Sequence, residues 1–181
     1  MPHLPDMQQF LVITAIGEIV PRLMEQIARA LRDLGCNITD SRMAQLGNEF
    51  ALITMVSGTW DAIAKTEDQL PRIAREMNLA LHWRRTTPAK PVKAMMPYAI
   101  DVVCCDRAGV VHDLAKFMAD NDIQIQDMYT NSYLAMHTQT QMFSLHMTIN
   151  IPTNVSISGL RGEFMDFCDR LNLDAIMEPV K

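Results

Sequence analysis

The sequence lacks the marks of a membrane, secreted or metal-binding protein. Its first ten residues hold two prolines and an aspartate rather than a basic segment followed by a long apolar run. We therefore expect neither a secretory signal nor a transmembrane helix, and a cytoplasmic location. The four cysteines form no C-x-x-C pair, and the five histidines show no metal-ligand spacing. We expect no metal and no cofactor, and cysteines that pack as small apolar residues.

Positive charge is also scarce. The net charge is −5 and the pI is about 5.5, which leaves little to neutralise phosphates, so we expect no direct contact with nucleic acid. One basic stretch covers residues 82–85 and continues with Lys90 and Lys93. Trp83 beside two arginines could serve as a stacking platform for bases, but a strand that runs into a solvated linker explains the stretch more simply.

Catalytic motifs are missing as well. The sequence has no G-x-S-x-G, P-loop or dinucleotide-binding fingerprint. Glu163 and Asp166 stand at helical spacing, which is more typical of a solvated helix face than of a catalytic dyad. With no nucleophile and base and no metal cluster in view, we expect that the protein is not an enzyme.

What the sequence does contain is an internal repeat. Residues 37–40 read NITD and residues 124–127 read QIQD, and the offset between Ile38 and Ile125 is 125 − 38 = 87. The same offset aligns Leu23 with Val110. Two copies of one small unit are the simplest explanation.

The first half alternates between apolar strands and helical spacing. Apolar residues from Leu23 to Leu34 recur every three or four positions, which predicts an amphipathic helix that begins near Pro21 and stops at Gly35. Gly47 and Asn48 predict a tight hairpin turn. The predicted segments are strand 8–16, helix 21–34, strands 37–46 and 49–57, helix 62–77 and strand 80–85.

A proline-rich linker is predicted between the halves. Residues 87–97 contain three prolines and two lysines and keep no apolar period. This linker separates an N-terminal domain, residues 8–86, from a C-terminal domain, residues 98–181. The predicted segments of the second domain are strand 98–105, helix 109–121, strands 124–132 and 141–151, helix 158–171 and strand 174–178.

Each half therefore has the order strand, helix, strand, strand, helix, strand. Right-handed crossovers that pack both helices on one face of an antiparallel sheet give a ferredoxin-like sandwich. The predicted fold class is α+β, with two tandem βαββαβ domains.

Two short stretches resemble a known family. Residues 106–112, DRAGVVH, open a helix directly after a strand, and this stretch resembles the turn of an ACT domain. Residues 35–42, GCNITDSR, are similar to the beginning of that module's second strand. The resemblance implies two tandem ACT domains, which are small-molecule-sensing modules of amino-acid metabolism.

The residues themselves favour an amino-acid ligand. The N-terminus of a helix presents unpaired N–H groups that attract a carboxylate, and a nearby Asp or Asn oxygen accepts from an ammonium group. Gly109 would let the backbone approach closely, while Asp106 is either the acceptor for the amine or merely the helix cap. The candidate ligand-binding residues are Asp106, Arg107, Ala108, Gly109, Val110, Asn37, Ile38, Gln124 and Ile125.

Neither copy keeps the whole pattern. Residues 19–22 align with 106–109 but lack both the acid and the glycine, and Arg22 would occupy the site or pair with a carboxylate. Gln124 stands where the first copy has Asn37. Because the resemblance implies ligands between paired domains, one composite pocket of the 106–109 turn with Asn37 is a hypothesis.

Two functions remain open. The resemblance implies a non-enzymatic regulator that senses glycine or a related small amino acid and represses glycine cleavage genes by binding a DNA-bound activator of the LysR type. The alternative is a detached module that docks on an amino-acid-metabolic enzyme and changes its activity. Exposed sheet edges also favour a homo-oligomer.

Overall fold

The computed structural model describes residues 8–88 and 94–180. The chain divides into two units, Met1–Lys90 and Pro91–Lys181. In each unit two helices cover one face of a four-stranded antiparallel sheet. The predicted α+β class and the two ferredoxin-like βαββαβ units are confirmed.

The N-terminal unit orders its sheet β2-β3-β1-β4. Strand β1 alternates, so that Leu11, Ile13 and Ala15 are buried under the helices. The first helix buries Leu23, Ile27 and Leu31, and each such side chain contributes about 1.5–3 kcal/mol. The elements are β1 Gln9–Glu18, α1 Leu23–Asp33, β2 Asn37–Leu46, β3 Glu49–Gly58, α2 Trp60–Met77 and β4 Ala80–Thr86.

The C-terminal unit repeats this arrangement with sheet order β6-β7-β5-β8. Its core includes an aromatic cluster in which the Phe117 ring lies 5.3 Å from Phe164 and 4.9 Å from Phe167. The elements are β5 Met95–Cys105, α3 Val110–Asp120, β6 Gln124–Leu134, β7 Gln141–Pro152, α4 Ile157–Arg170 and β8 Asp174–Pro179.

The predicted linker differs from the structure at its end. Residues 89–93, which include Lys90 and Lys93, lie outside the described residues. Residues 95–97 belong to β5, because Met96 packs against the core. Pro97 fits near the start of this strand because its carbonyl oxygen, which proline retains, accepts from the amide of Val180, the residue directly after β8, at 3.1 Å.

A small apolar cavity lies in the N-terminal core. It measures about 20 Å³ and is lined only by carbon-rich side chains and Thr54, with Ala30 on α1 at its wall. The 87-residue offset places Phe117 at the corresponding position of α3, where it fills the seam between helices. The N-terminal unit thus has a void where the other unit has a ring.

Filling this void should stabilise the N-terminal unit. We expect Ala30→Leu to raise its free energy of unfolding by about 0.5–2 kcal/mol, because leucine is a good helix former and adds buried apolar volume. Both tryptophans, Trp60 and Trp83, belong to this unit, so urea unfolding followed by tryptophan fluorescence reports on it. Ala28→Leu, on the same helix but away from the cavity, should change stability by less than about 0.5 kcal/mol. A loss of stability in Ala30→Leu would contradict the prediction.

Candidate functional site

The turn between β5 and α3 leaves a helix N-terminus open. Gly109 is the N-cap of α3 with φ 94°, and no side chain caps the helix. A Cβ built on Gly109 would find nothing within 4 Å, so no other part of the described chain fills the position that a side chain would take at the start of this helix. The Asp106 carboxylate is therefore not the helix cap, which removes one of the two roles predicted for it.

Two charged side chains border this turn. Arg107 Nη2 lies 3.3 Å from Asp113 Oδ2, so the guanidinium is held beside the first turn of α3. Asp106 is exposed, and its amide donates to the carbonyl oxygen of Gln141 at 2.9 Å. One acidic and one basic residue thus lie in the turn that leads to the open amides, a combination suited to a zwitterion.

The N-terminal unit forms the same turn with different residues. Arg22 is the N-cap of α1 with φ 68°, at the position of Gly109. The first helical bonds also correspond: the amide of Gln26 donates to Arg22, and that of Asp113 donates to Gly109, both at 2.9 Å. Arginine in a left-handed conformation costs about 1–2 kcal/mol more than an ordinary conformation, and its side chain adds bulk at the helix start.

The structure separates the predicted site residues within each unit. Gln124 pairs with Asn150, which lies opposite Pro97 at the start of β5, whereas the 106–110 turn follows the end of that strand. Eight residues of strand between Pro97 and Cys105 correspond to about 26 Å. Gln124 and Ile125 therefore do not join the turn of their own unit, because the helix returns along the sheet before β6 begins.

The same separation holds for Asn37 and Ile38, which begin β2 and pair with Ser57 and Val56 at the sheet end opposite the Arg22 turn. Ile38 and Ile125 pack against the cores of their units. Both strands carry a register shift directly after these isoleucines. The repeated motif thus marks a shared bulge, and a contribution of Asn37 to the turn of the other copy stays a prediction.

The basic stretch of β4 is structural. Trp83 is half-buried against the N-terminal core. Arg85 donates to both carboxylate oxygens of Glu67, from Nε to Oε1 at 3.1 Å and from Nη2 to Oε2 at 2.7 Å, and this hydrogen bonding raises the pKa of the Arg85 guanidinium. A stacking platform for bases is therefore not formed by Trp83.

Three of the four cysteines are buried, and Cys105 is exposed. Burial raises the pKa of the Cys104 thiol. Burial, with a further contribution from Asp169, raises the pKa of Cys168 to about 12. In residues 8–88 and 94–180 no three His, Cys, Asp or Glu side chains are grouped to hold a metal.

Thiol reactivity should follow this difference. We expect iodoacetamide at about pH 8.5 to modify Cys105 in the folded protein and to spare Cys168, because only the thiolate is nucleophilic.

The raised pKa of the Cys168 thiol also makes the stability of the fold pH-dependent. Below pH about 9 both states hold the proton, and between about 9 and 12 only the unfolded thiol loses it. Stability should fall as pH rises through that window.

Mass spectrometry of digested, labelled protein checks the labelling prediction. Cys168→Ser, which has no thiol to titrate at this position, is the control for the predicted fall in stability as pH rises. Rapid labelling of Cys168 without unfolding would contradict the burial of its thiol.

Comparison with known proteins agrees with this architecture. The model of the ACT domain matches residues 9–84. Among the described residues, no helix combines the length and apolarity that a membrane crossing requires. The fold and the matches define an ACT-domain protein, and the chain belongs to this family.

The chain is 30% identical over 167 residues to the glycine cleavage system transcriptional repressor of Escherichia coli strain K12, covering 91% of this chain and 87% of that protein. The Shigella flexneri protein of the same name matches equally. A crystal structure described as a candidate glycine cleavage system transcriptional repressor superposes with a TM-score of 0.72 at 25% identity, over 97% of this chain and 99% of that chain. An unknown protein from Galdieria sulphuraria shares the fold, with a TM-score of 0.77 at 20% identity over 96% and 99% of the two chains.

Proposed function

We propose that the protein is a non-enzymatic regulator that senses glycine or a related small amino acid and represses glycine cleavage genes. The observation that carries the proposal is the open N-terminus of α3 at Gly109, which follows Asp106 and Arg107 in the same turn. Its relatives are named transcriptional repressors of the glycine cleavage system.

The two oppositely charged groups of the amino acid contact different parts of the turn. The carboxylate accepts from the first amides of α3, where the helix dipole favours negative charge, and Arg107 stands beside it. The ammonium group donates to Asp106. Gly109 lets the ligand come close to Ala108 and Val110, and a small side chain suits this shallow, exposed position.

The C-terminal unit is the better receptor of the two. The corresponding turn of α1 has Ile19 and Arg22 in place of Asp106 and Gly109. It therefore lacks a carboxylate at the position of Asp106, and a long arginine side chain stands in place of the glycine hydrogen at the start of the helix. One ligand per chain follows from this difference.

Repression acts through a protein partner. The net charge of −5 opposes direct contact with DNA phosphates. We propose that the partner is a DNA-bound transcriptional activator, of the LysR type by family resemblance, and that the amino acid shifts the equilibrium between the free and the bound regulator. Docking on an amino-acid-metabolic enzyme is the second candidate, because the bound amino acid would shift a docking equilibrium with an enzyme in the same way.

Affinity capture separates the two candidates. The immobilised full chain is incubated with lysate of its own source cells, with and without glycine, and retained proteins are identified by mass spectrometry. A transcription factor whose recovery changes with glycine supports the first candidate, and an enzyme supports the second. Recovery of neither in both conditions would contradict the proposed function. The Gly109→Trp chain is the control, since its recovery should not respond to glycine.

A further inference from the structure

The open face of the C-terminal sheet carries four acidic side chains and one histidine, and neither lysine nor arginine. The strands β5 to β8 contain no lysine and no arginine. We call the side chains on the face opposite the helices the acidic face. Its three rows, each read across β6, β7, β5 and β8, are Asp127–Thr148–Ala99–Glu178, Tyr129–His146–Asp101–Ile176 and Asn131–Ser144–Val103–Asp174.

The negative charge of this face is poorly compensated. Its twelve positions carry four carboxylates and, with His146 neutral, a net charge of −4. Asp101 Oδ1 lies 2.7 Å from His146 Nδ1. Asp127 accepts from the amide of Met128 at 3.1 Å. Within the part of the chain that the structure describes, Asp174 and Glu178 form no ion pair and are exposed.

The N-terminal sheet shows that the fold does not require this charge. Its matching rows are Asp40–Met55–Val12–Arg84, Arg42–Ile53–Thr14–His82 and Ala44–Ala51–Ile16–Ala80. One acid and two arginines give +2 − 1 = +1 with His82 neutral, against −4 for the acidic face. Over these three rows the two units differ by five charges. The next row of the N-terminal sheet adds Glu18 and Glu49, whereas the matching C-terminal row, Tyr133–Met142–Cys105, is uncharged, so the two faces still differ by three charges.

The acidic face also exposes apolar and aromatic area. Tyr129 is 64% exposed and stacks on His146 with ring centroids 4.8 Å apart, and Ile176 is 60% exposed. A planar aromatic ring beside carboxylates suits a guanidinium group, which both pairs with carboxylates and stacks on rings. Exposed apolar area in the centre of a charged surface is typical of a protein contact.

We infer that the acidic face docks an arginine- and lysine-rich segment of a partner protein. The inference rests on the proposed function for the class of partner, because a DNA-binding protein is rich in arginine and lysine, and the segment docked here is one that does not itself contact the phosphates. The acidic face is complementary to such a segment, whereas it repels nucleic acid itself. Complementary charge selects the partner and speeds association, and the exposed Tyr129 and Ile176 supply contact area.

The test uses the full chain and a dye-labelled peptide of alternating arginine and serine, with binding followed by fluorescence anisotropy. Asp174→Lys with Glu178→Lys should weaken binding by about tenfold or more, because both replacements lie on the acidic face. The matched control, Glu163→Lys with Asp166→Lys, makes the same charge change on exposed positions of α4. This control should weaken binding by less than about threefold, since its charges are screened from the peptide.

If the two double variants weaken peptide binding equally, net charge alone accounts for binding and the inference is overturned. Unchanged peptide binding by Asp174→Lys with Glu178→Lys would also overturn it. If that pair fails to fold, Tyr129→Asn with Asp101→Asn replaces it and should weaken binding by about threefold or more. The alternative is that the chain forms concentration-dependent dimers through this face. Dimers that the double variant Asp174→Lys with Glu178→Lys abolishes, and that the peptide does not dissociate, would assign the face to a second copy of the chain. This result would also overturn the inference. Glycine binding is measured in parallel: its absence contradicts the proposed function, and its presence in the acidic-face variant separates the two results.

Discussion

Replacing Phe164 by alanine should lower the free energy of unfolding of the C-terminal unit by about 3–5 kcal/mol. Phe164 is fully buried and its ring contacts Phe117 and Phe167. Removal of the ring loses its transfer free energy and leaves a void between α3, α4 and the sheet. The aromatic packing adds a smaller contribution, of about 0.5–1.5 kcal/mol for each pair.

The aromatic residues allow each unit to be followed separately. All three tyrosines, Tyr98, Tyr129 and Tyr133, lie in the C-terminal unit, and both tryptophans lie in the N-terminal unit. Urea unfolding followed by tyrosine near-ultraviolet circular dichroism should therefore move to lower urea in Phe164→Ala, while the tryptophan fluorescence transition stays within error. Phe167→Ala, at a half-buried position, should cost less than Phe164→Ala. A common shift of both signals would show that the two cores do not unfold independently.

Replacing Gly109 by tryptophan should weaken glycine binding by at least about tenfold, or about 1.4 kcal/mol. The Cβ position of Gly109 is open, so an indole there would lie in front of the first amides of α3. The substitution also strains the backbone, because φ is 94°. Isothermal titration calorimetry of glycine into both proteins measures the change.

Gly47→Trp is the matched control for this experiment. Gly47 also has a positive φ, of 63°, and open space around its Cβ position, but it lies in the β2–β3 turn. The strain is therefore similar and the ligand position differs. Unchanged glycine binding in Gly109→Trp would rule out the 106–110 turn, and equal losses in the two variants would attribute the effect to strain alone.

The element order could be predicted from the sequence because burial follows simple periods. Leu23, Ile27 and Leu31 face the core as the three- and four-residue spacing predicts. The start of α2 was predicted two residues late because Thr59 caps the helix through Ala62, at 3.2 Å, before the apolar period begins. Pro71 does not break that helix, which runs without interruption to Met77.

The candidate site was predictable only in part. The left-handed turn at Gly109 follows from a glycine placed before a helix, but the left-handed conformation of Arg22 has no signal in its own residue type. The repeat alone indicates it, since the two positions are 87 residues apart. The row of Tyr129, His146 and Asp101 could not be predicted, because strand register decides which side chains meet across a sheet.

The proposed glycine site at the 106–110 turn is tested most directly by titrating glycine into the isotope-labelled full chain. The titration is followed residue by residue through the backbone amide NMR signals. We expect saturable shifts of the amides from Arg107 to Asp113, and no comparable shifts at residues 20–26, where Arg22 replaces Gly109. Absence of saturable shifts, or shifts confined to the N-terminal turn, would contradict the proposed site.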